Sequence, residues 1–180
     1  MTADQEERQA TLLRRLWVQP GPGHPFASLD QMCQRWADRS ERILASGWQP
    51  AATGQQSAAV APDPGLVRAG LALFRELPAT ADRQVLLATD LHAGNVLAAA
   101  REPWLVIDPK PHVGDPAYDP LQHMLNCDDR LRSDPRGLAR RIAGLLGLDP
   151  DRVLRWLFAR CVQESADCPA LAEVARQIAP

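Results

Sequence analysis

The sequence predicts a mainly helical α+β fold that carries a small β insert. Apolar residues recur at helical spacing before residue 80 and again after residue 120 of the 180-residue chain. Between these parts lie three short runs rich in Val, Leu and Ile, at 85–88, 96–99 and 104–107, which turn-type residues separate. The length suits one domain with a substantial hydrophobic core.

Two amphipathic helices are predicted ahead of the insert. The first covers 4–18 and ends before Pro20. The second starts at Ser28, whose hydroxyl suits a helix N-cap, with Gln31 three residues later as in a capping box. Apolar residues at helical spacing continue this second helix to about Ser46.

The stretch 49–64 is rich in Ala, Gln, Ser and Pro, has no apolar period, and is predicted to be a loop. Asp63-Pro64 then opens a helix to Leu77, which Pro78 closes. Four more helices follow the insert, each starting near a proline, which is favoured in the first helical turn: 120–126, 135–146, 150–163 and 169–178.

Polar side chains follow the first and the third predicted strand. Asp90 comes shortly after the first strand, Asn95 follows it five residues later, and Asp108 comes directly after the third strand. Phosphoryl transfer needs a group that accepts a proton and Mg²⁺ that neutralises charge. Because Mg²⁺ takes oxygen ligands and only one or two protein carboxylates, Asn95 and Asp108 suffice as ligands. Asp90 is then free to act as the base.

Three ordered segments carry a resemblance to a known family. They are Asp90-Leu-His92-Ala-Gly94-Asn95-Val-Leu, Trp104-Leu-Val-Ile-Asp108-Pro-Lys110 and Gly114-Asp115-Pro-Ala-Tyr118-Asp119, joined by the earlier Arg14-Arg15-Leu16-Trp17 and Gly23-His24-Pro25-Phe26. On these residues the chain resembles the aminoglycoside phosphotransferases, and among them the streptomycin 6-kinase or aminoglycoside/hydroxyurea antibiotic resistance kinase branch. The resemblance extends from about Leu12 to Leu157.

The resemblance implies a protein-kinase-like C-terminal lobe whose β insert carries the catalytic loop. It implies transfer of a phosphoryl group from ATP to a hydroxyl of a small molecule, an aminoglycoside such as streptomycin. Asp90 would be the catalytic base, and Asn95 and Asp108 would bind Mg²⁺ next to the nucleotide. His92 takes the position of the catalytic-loop lysine of protein kinases, so it is expected to face the γ-phosphate.

Five further acidic residues are expected near this set. In such enzymes, the positions of Asp115 and Asp119 more often brace loops than do chemistry. Aminoglycosides are polycations, so an acidic cleft is expected to bind them, and Asp128, Asp129 and Glu164 are the candidates. The alternative for these three residues is an ordinary solvated acidic surface.

The resemblance implies a single lobe over residues 1–180. It divides the chain into a post-hinge segment, a helical part, the catalytic and metal loops and a second helical part, at 1–27, 28–80, 81–119 and 120–180.

Two features depart from the family pattern. The family places His-Gly directly before the catalytic aspartate, where this chain has Ala88-Thr89. The N-terminal ATP lobe is expected to be absent, because no glycine-rich strand-turn-strand is seen, and Gly21-Pro22-Gly23 contains a proline without the N–H that a phosphate cradle needs. We therefore expect a shortened lobe that has little kinase turnover by itself, with the missing lobe as a possible partner.

Composition excludes several other classes. A net charge of −2 without a basic stripe argues against nucleic acid as a partner and against a membrane surface. The polar, acidic N-terminus does not resemble a signal peptide, so the chain is expected to be cytoplasmic. The four cysteines lack zinc or disulfide spacing, and Cys33 and Cys161 are predicted to be small buried hydrophobic residues.

Structural alternatives exist for single residues of the site. Asp90 alone suits the cap of a turn, and His92 suits a hydrogen-bonded loop histidine. His112 and His123 are available for a metal cluster with the aspartates, but they lack the spacing of helical metal sites, which favours satisfied or exposed histidines.

Two other functional classes stay open. One is a catalytically inactive relic or binding module of the same fold, which Mg·ATP affinity would distinguish from a kinase. The other is a metal-dependent hydrolase that uses Asp90, His92 and Asp108. Asn95 argues against the hydrolase, because an amide is a poor ligand for the transition metals that such enzymes prefer.

Overall fold

The helices and strands follow from a computed structural model that describes residues 3–46, 63–100 and 102–180. The predicted loop at 49–64 lies, up to residue 62, outside the described residues. In chain order the elements are α1 (Ala3–Leu16), β1 (Ala27–Ser28), α2 (Leu29–Ser46), α3 (Pro64–Ala79), β2 (Val85–Leu87), β3 (Val96–Ala98), β4 (Trp104–Val106), β5 (His112–Gly114), α4 (Leu121–Leu125), α5 (Asp128–Ser133), α6 (Pro135–Leu146), α7 (Pro150–Glu164) and α8 (Ala170–Ile178). The predicted mainly helical α+β class is confirmed.

Helix starts agree with the capping residues in the sequence. The backbone N–H of Gln31 donates to Ser28 Oγ at 3.2 Å, so α2 begins where the capping box predicts. Asp63 caps α3 in the same way, through a 2.6 Å bond from the N–H of Gly65. The prediction that Pro78 closes this helix after Leu77 is wrong, because α3 continues through Pro78 and ends two residues later, at Ala79.

Helix α1 ends two residues earlier than predicted. The carbonyl of Val18 accepts a 2.9 Å hydrogen bond from the N–H of Leu86 in β2. Val18 is therefore bonded to the sheet and is not part of the helix. The start of α1 is held from the other side, because the fully buried carboxylate of Glu6 pairs with Arg130 and, at 2.5 Å, with Arg141. These ion pairs tie α1 to α5 and α6.

Two small sheets carry the middle of the chain. One has the strand order β1-β5-β2, with β1 parallel and β2 antiparallel to β5. The other is the antiparallel pair β3-β4, in which Val96 faces Val106 and Leu97 faces Leu105. A side chain at Gly114 of β5 would place its Cβ 2.3 Å from the Cβ of Leu29, so the close approach of α2 requires glycine there.

Three of the five strands were predicted, and two were not. Strands β2, β3 and β4 agree with the predicted runs to within one residue at each end. Strands β1 and β5 have only two and three residues and exist because they pair with each other across the fold. The short helix α5 was also not predicted, since its sequence has no apolar stripe.

Buried side chains of the described residues form one cluster between the helices. Its centre is aromatic, because Trp156 meets Tyr118 edge-on with ring centroids 5.2 Å apart and Phe74 at 6.4 Å. Cys33 and Cys161 are free and fully buried, as predicted, and burial raises the pKa of each thiol to about 12. None of the described helices is long and apolar enough to span a bilayer.

Candidate active site

The loop after β2 begins with an unusual backbone conformation. Thr89 has φ +55, in the left-handed region that β-branched residues rarely adopt. Two bonds from one buried carboxylate hold it there, since Asp119 Oδ1 accepts from the N–H of Thr89 at 2.7 Å and Asp119 Oδ2 from the N–H of Ala88 at 3.1 Å. The residue that follows is Asp90. The loop therefore keeps a geometry that suits glycine even though this chain has threonine there.

This strain gives a testable difference between two substitutions. Thr89→Gly and Thr89→Ala both lose the bond from the threonine hydroxyl to the carbonyl of Lys110, but only glycine adopts φ +55 without steric cost. We expect Thr89→Gly to be more stable than Thr89→Ala by about 1 kcal/mol in urea unfolding.

A matched control is a position where glycine is expected to be less stable than alanine. Ala72 is an exposed residue inside α3, where Ala72→Gly is expected to lower the free energy of unfolding by about 1 kcal/mol. Equal stability of the glycine and alanine variants at position 89 would contradict the assignment of strain to this backbone.

The amide of Asn95 is bound to the backbone of the predicted base. Asn95 Nδ2 donates to the carbonyl of Asp90 at 2.9 Å, across the short 3₁₀ turn Ala93–Asn95. Because the nitrogen of the amide is used in this way, the oxygen is the end that is left for a cation. The five-residue interval therefore places a carboxylate and an amide oxygen on the same loop.

The β3-β4 pair brings the segment that carries Asp108 next to Asn95. The N–H of Ile107 donates to the carbonyl of Asn95 at 3.0 Å, so Asp108 follows a residue that is bonded to Asn95. The next turn is tied to the base loop, since the N–H of Lys110 donates to the carbonyl of Ala88 at 2.9 Å. The structure thus brings the segments that carry Asp90, Asn95 and Asp108 together.

The Asp108 side chain is exposed and already faces a cation. Its φ is +47, and Asp108 Oδ2 lies 2.6 Å from the ammonium of Lys110. An amide oxygen and a carboxylate form an all-oxygen donor set of the kind that suits Mg²⁺. The ammonium of Lys110 shows that this exposed carboxylate is accessible to a positively charged group. By the chemistry of their oxygens, Asn95 and Asp108 fit the donor type of a magnesium site.

His92 contacts the loop and the base. Its Nδ1 accepts from the N–H of Gly94 at 3.1 Å, and its Nε2 lies 3.9 Å from Asp90 Oδ1. The first contact matches the alternative of a hydrogen-bonded loop histidine. The second leaves the outer ring nitrogen beside the carboxylate, with the side chain 31% exposed. The expected phosphate contact stays a prediction.

Asp119 and Asp115 are buried and accept several hydrogen bonds each. Besides the two loop N–H groups, Asp119 accepts from Trp17 Nε1 at 2.8 Å. Burial raises the pKa of Asp119, and its three hydrogen bonds act in the opposite direction. Asp115 Oδ2 accepts from Arg152 Nε at 2.6 Å and from Trp156 Nε1 at 2.7 Å.

The three acidic residues that are candidates for substrate binding differ in whether a cation is paired with them. Asp128 pairs with Arg132 at 2.7 Å, and Glu164 pairs with Arg160 at 2.8 Å. Asp129 is exposed. Because two of the three carboxylates have a cation beside them, their attraction for a polycationic ligand is weakened.

The two histidines considered for a metal cluster lie in different surroundings. His123 is buried in α4 next to Cys127, and burial lowers its pKa to about 4. His112 Nδ1 lies 2.9 Å from the carbonyl of Lys110. Within the described residues, no group of three or more His, Cys, Asp or Glu side chains is suited to hold a metal. The buried Nδ1 of His123 has no hydrogen-bond partner in the part of the chain that the structure describes, so the preference for satisfied histidines is not met at this residue.

An apolar face beside the metal candidates was not predicted. Leu97, Leu105 and Ile107 are 49%, 38% and 38% exposed. Leu97 and Leu105 are paired across β3 and β4, and Ile107 follows two residues after Leu105, so all three lie on one face of this sheet. Both runs are continuously apolar in sequence, so the sequence does not tell which face of the pair is left uncovered.

Comparison with known proteins agrees with the resemblance. The family described as aminoglycoside/hydroxyurea antibiotic resistance kinase matches residues 2–169. A hydroxyurea phosphotransferase of Kitasatospora aureofaciens is 46% identical over 79 residues, which are 43% of this chain and 22% of that protein. Streptomycin 6-kinases of Streptomyces glaucescens and Streptomyces griseus are 45% and 43% identical over 87 and 86 residues, 44% of this chain and 28% of each relative.

The matched segments thus span only about a quarter of the relatives' lengths, between 22% and 28%. No solved structure is significantly similar to the chain. The family match covers most of the sequence and includes all three segments around Asp90, Asp108 and Asp119. The chain therefore belongs to the aminoglycoside/hydroxyurea antibiotic resistance kinase family.

Proposed function

We propose that the chain is the kinase-like C-terminal lobe of an ATP-dependent phosphotransferase that modifies a hydroxyl of a small molecule, in the manner of antibiotic inactivation. The observations that support this proposal are the bond from Asn95 to the backbone of Asp90 and the bond from Ile107, the residue before Asp108, to the backbone of Asn95. The family match and the names of the relatives favour an aminoglycoside such as streptomycin as acceptor.

Each residue of the site is assigned a separate role in the reaction. Asp90 accepts the proton of the acceptor hydroxyl as its oxygen bonds to the γ-phosphorus and the bond from that phosphorus to the leaving ADP oxygen breaks. Asn95 and Asp108 would hold Mg²⁺, which supplies charge neutralisation at the phosphates when bound. His92 is placed next to Asp90 Oδ1 and is assigned to the γ-phosphate.

The apolar face of β3 and β4 suits the base of the nucleotide. Leu97 and Leu105 are exposed in the middle of β3 and β4, and Ile107 is exposed just after β4. Asn95 precedes β3, and Asp108 follows Ile107. A flat base laid on these side chains would remove apolar surface from water. The phosphates would then extend toward the metal ligands at the strand ends.

A lobe that covers the phosphates is part of the proposal. This sequence has no glycine-rich strand-turn-strand, so the β- and γ-phosphates of a nucleotide on the face would stay open to water. We therefore assign the covering lobe to a further segment or another polypeptide. The 180-residue chain by itself is expected to turn over streptomycin little or not at all.

The alternative is a catalytically inactive binding module of the same fold. The strained Thr89 in place of the family's glycine, together with the uncovered phosphates, supports it. The two functions differ in what the metal candidates do, because only the kinase needs Asp108 as a ligand for Mg·ATP.

Mg·ATP affinity, measured by calorimetry, tests the proposal. Asp108→Asn is the preferred variant, because asparagine tolerates the positive φ at this position. We expect weak binding to the wild-type chain and a loss of about tenfold or more in this variant. Asp90→Asn should bind nearly as the wild type, since the base is not a metal ligand.

Asp129→Asn is the matched control, since Asp129 is an exposed carboxylate away from the loop in sequence. Its Mg·ATP affinity should not change. Absence of Mg·ATP binding to the wild-type chain would favour the inactive module. Robust phosphorylation of streptomycin by the chain alone would contradict the need for a covering lobe.

A further inference from the structure

The cation that pairs with Asp108 is the side chain of Lys110, which is the only lysine of the sequence. The chain has 20 Lys and Arg residues, and all of the others are arginine. Lys110 Nζ lies 2.6 Å from Asp108 Oδ2, with the two side chains 52% and 67% exposed. A chain that otherwise uses only arginine as its basic side chain thus has its one lysine beside a candidate metal ligand.

The backbone of Lys110 is fixed while its side chain is not. Its N–H donates to the carbonyl of Ala88 at 2.9 Å. Its carbonyl accepts from Thr89 Oγ1 at 2.5 Å and lies 2.9 Å from His112 Nδ1. These bonds hold the start of the side chain against the loop that carries the base. The four-carbon stem is half exposed and is free to move the ammonium over a few ångströms.

Lysine and arginine would act differently at this position. A guanidinium binds a carboxylate through two parallel bonds in a rigid fork, whereas an ammonium is a compact, mobile point charge. An ammonium can therefore occupy the place of a metal ion on Asp108 and leave it again. It also suits phosphate as a point charge.

We propose that the ammonium of Lys110 holds the Asp108 carboxylate until a divalent cation binds, and then contacts a phosphate oxygen of the metal-bound ligand. This inference rests on the proposed phosphotransferase function. It provides a phosphate-binding lysine from the C-terminal side of the site, in a chain whose sequence lacks the strand lysine of an ATP-covering lobe.

The first test measures Mn²⁺ affinity by electron paramagnetic resonance, with Mn²⁺ standing in for Mg²⁺. Lys110→Met removes the competing charge, so Mn²⁺ should bind about two- to fivefold more tightly, the range expected of an exposed ion pair. Lys110→Arg keeps the charge and should not bind more tightly than the wild type. Asp108→Asn should bind more weakly.

The matched control removes one positive charge from a comparable exposed pair elsewhere. Arg132 pairs with Asp128 at 2.7 Å, with side chains 52% and 62% exposed. Arg132→Met should leave Mn²⁺ affinity unchanged. This control separates release of Asp108 from the general effect of a lower net charge.

The second test uses the single lysine as a spectroscopic probe. Lysine labelled with ¹⁵N at Nζ gives one ammonium signal in this chain. Adding Mg²⁺ should move the signal toward its position in Asp108→Asn, and inorganic tripolyphosphate added next should move it again. Lys110→Met should also bind tripolyphosphate in the presence of Mg²⁺ about tenfold more weakly, as expected for a lost charge-assisted contact.

The outcomes separate this inference from the function on which it rests. Mn²⁺ binding that Asp108→Asn weakens, but that Lys110→Met leaves unchanged or also weakens, overturns the role of Lys110 and leaves the metal site intact. A lysine signal that does not respond to Mg²⁺ has the same meaning. If neither the wild type nor Lys110→Met binds Mn²⁺, the metal site is wrong and both proposals fail.

Discussion

Asp119→Ala is expected to lower the free energy of unfolding by about 3–5 kcal/mol. The carboxylate is fully buried and accepts from Trp17 Nε1 and from the N–H groups of Ala88 and Thr89. Its removal leaves three donors without an acceptor in the protein. A fully buried donor costs about 1–3 kcal/mol, and of these bonds the one from Ala88 is buried while those from Trp17 and Thr89 are partly buried. Since domains are stable by only about 5–15 kcal/mol, guanidinium unfolding should show a large shift.

Two variants sharpen the test of Asp119. Asp119→Asn keeps the size of the side chain but offers one oxygen acceptor and an NH₂ group that faces donors, so an intermediate loss is expected. Asp129→Ala, at an exposed position, should stay within about 0.5 kcal/mol of the wild type. A loss below about 1 kcal/mol for Asp119→Ala would show that water replaces the carboxylate and that it does not brace the loop.

Asp115→Ala is expected to cost a similar amount, about 3–5 kcal/mol, for a different reason. Asp115 Oδ2 accepts from the buried Trp156 and from Arg152, whose guanidinium also donates to the carbonyl of Leu77 at 2.6 Å. The substitution leaves an indole N–H unpaired inside the core and a partly buried cation without its partner. This contact joins α7 to α3 and to the turn after β5.

A double-mutant cycle measures the Asp115 contact. Arg152→Met and Asp115→Ala are combined, and the coupling in guanidinium unfolding is expected to be about 1–3 kcal/mol. The exposed neighbour Asp151 supplies the control, since Asp151→Ala and Asp115→Ala should be nearly additive. Additivity of Arg152→Met and Asp115→Ala would mean that the 2.6 Å ion pair contributes nothing.

Much of the fold was predictable because its signals are local. The hydroxyl of Ser28 and the carboxylate of Asp63 bond to N–H groups only two or three residues away, so the starts of α2 and α3 could be read directly. Strands β1 and β5 could not be predicted, because segments of two and three residues have no periodic pattern. These strands are defined by their pairing with each other.

The candidate site also has a local part that the sequence predicts and a long-range part that it does not. The interval from Asp90 to Asn95 is local, and the bond between them lies within one loop. The support from Asp119 reaches across 30 residues to Thr89 and across 102 residues to Trp17, and no sequence spacing specifies it. The roles of Asp90, His92, Asn95 and Asp108 stay predictions, although the segments that carry them are brought together.

The sequence alone determined the helices other than α5, three strands, the order of the polar residues at the strand ends and the family, because each depends on neighbouring residues or on an ordered set of segments. Only the tertiary structure decided which carboxylate holds the strained Thr89, that Lys110 lies on Asp108, and that Leu97 and its neighbours are left exposed. The physical reason is that burial and long-range pairing depend on how the helices and sheets pack. No local pattern of residues records that packing.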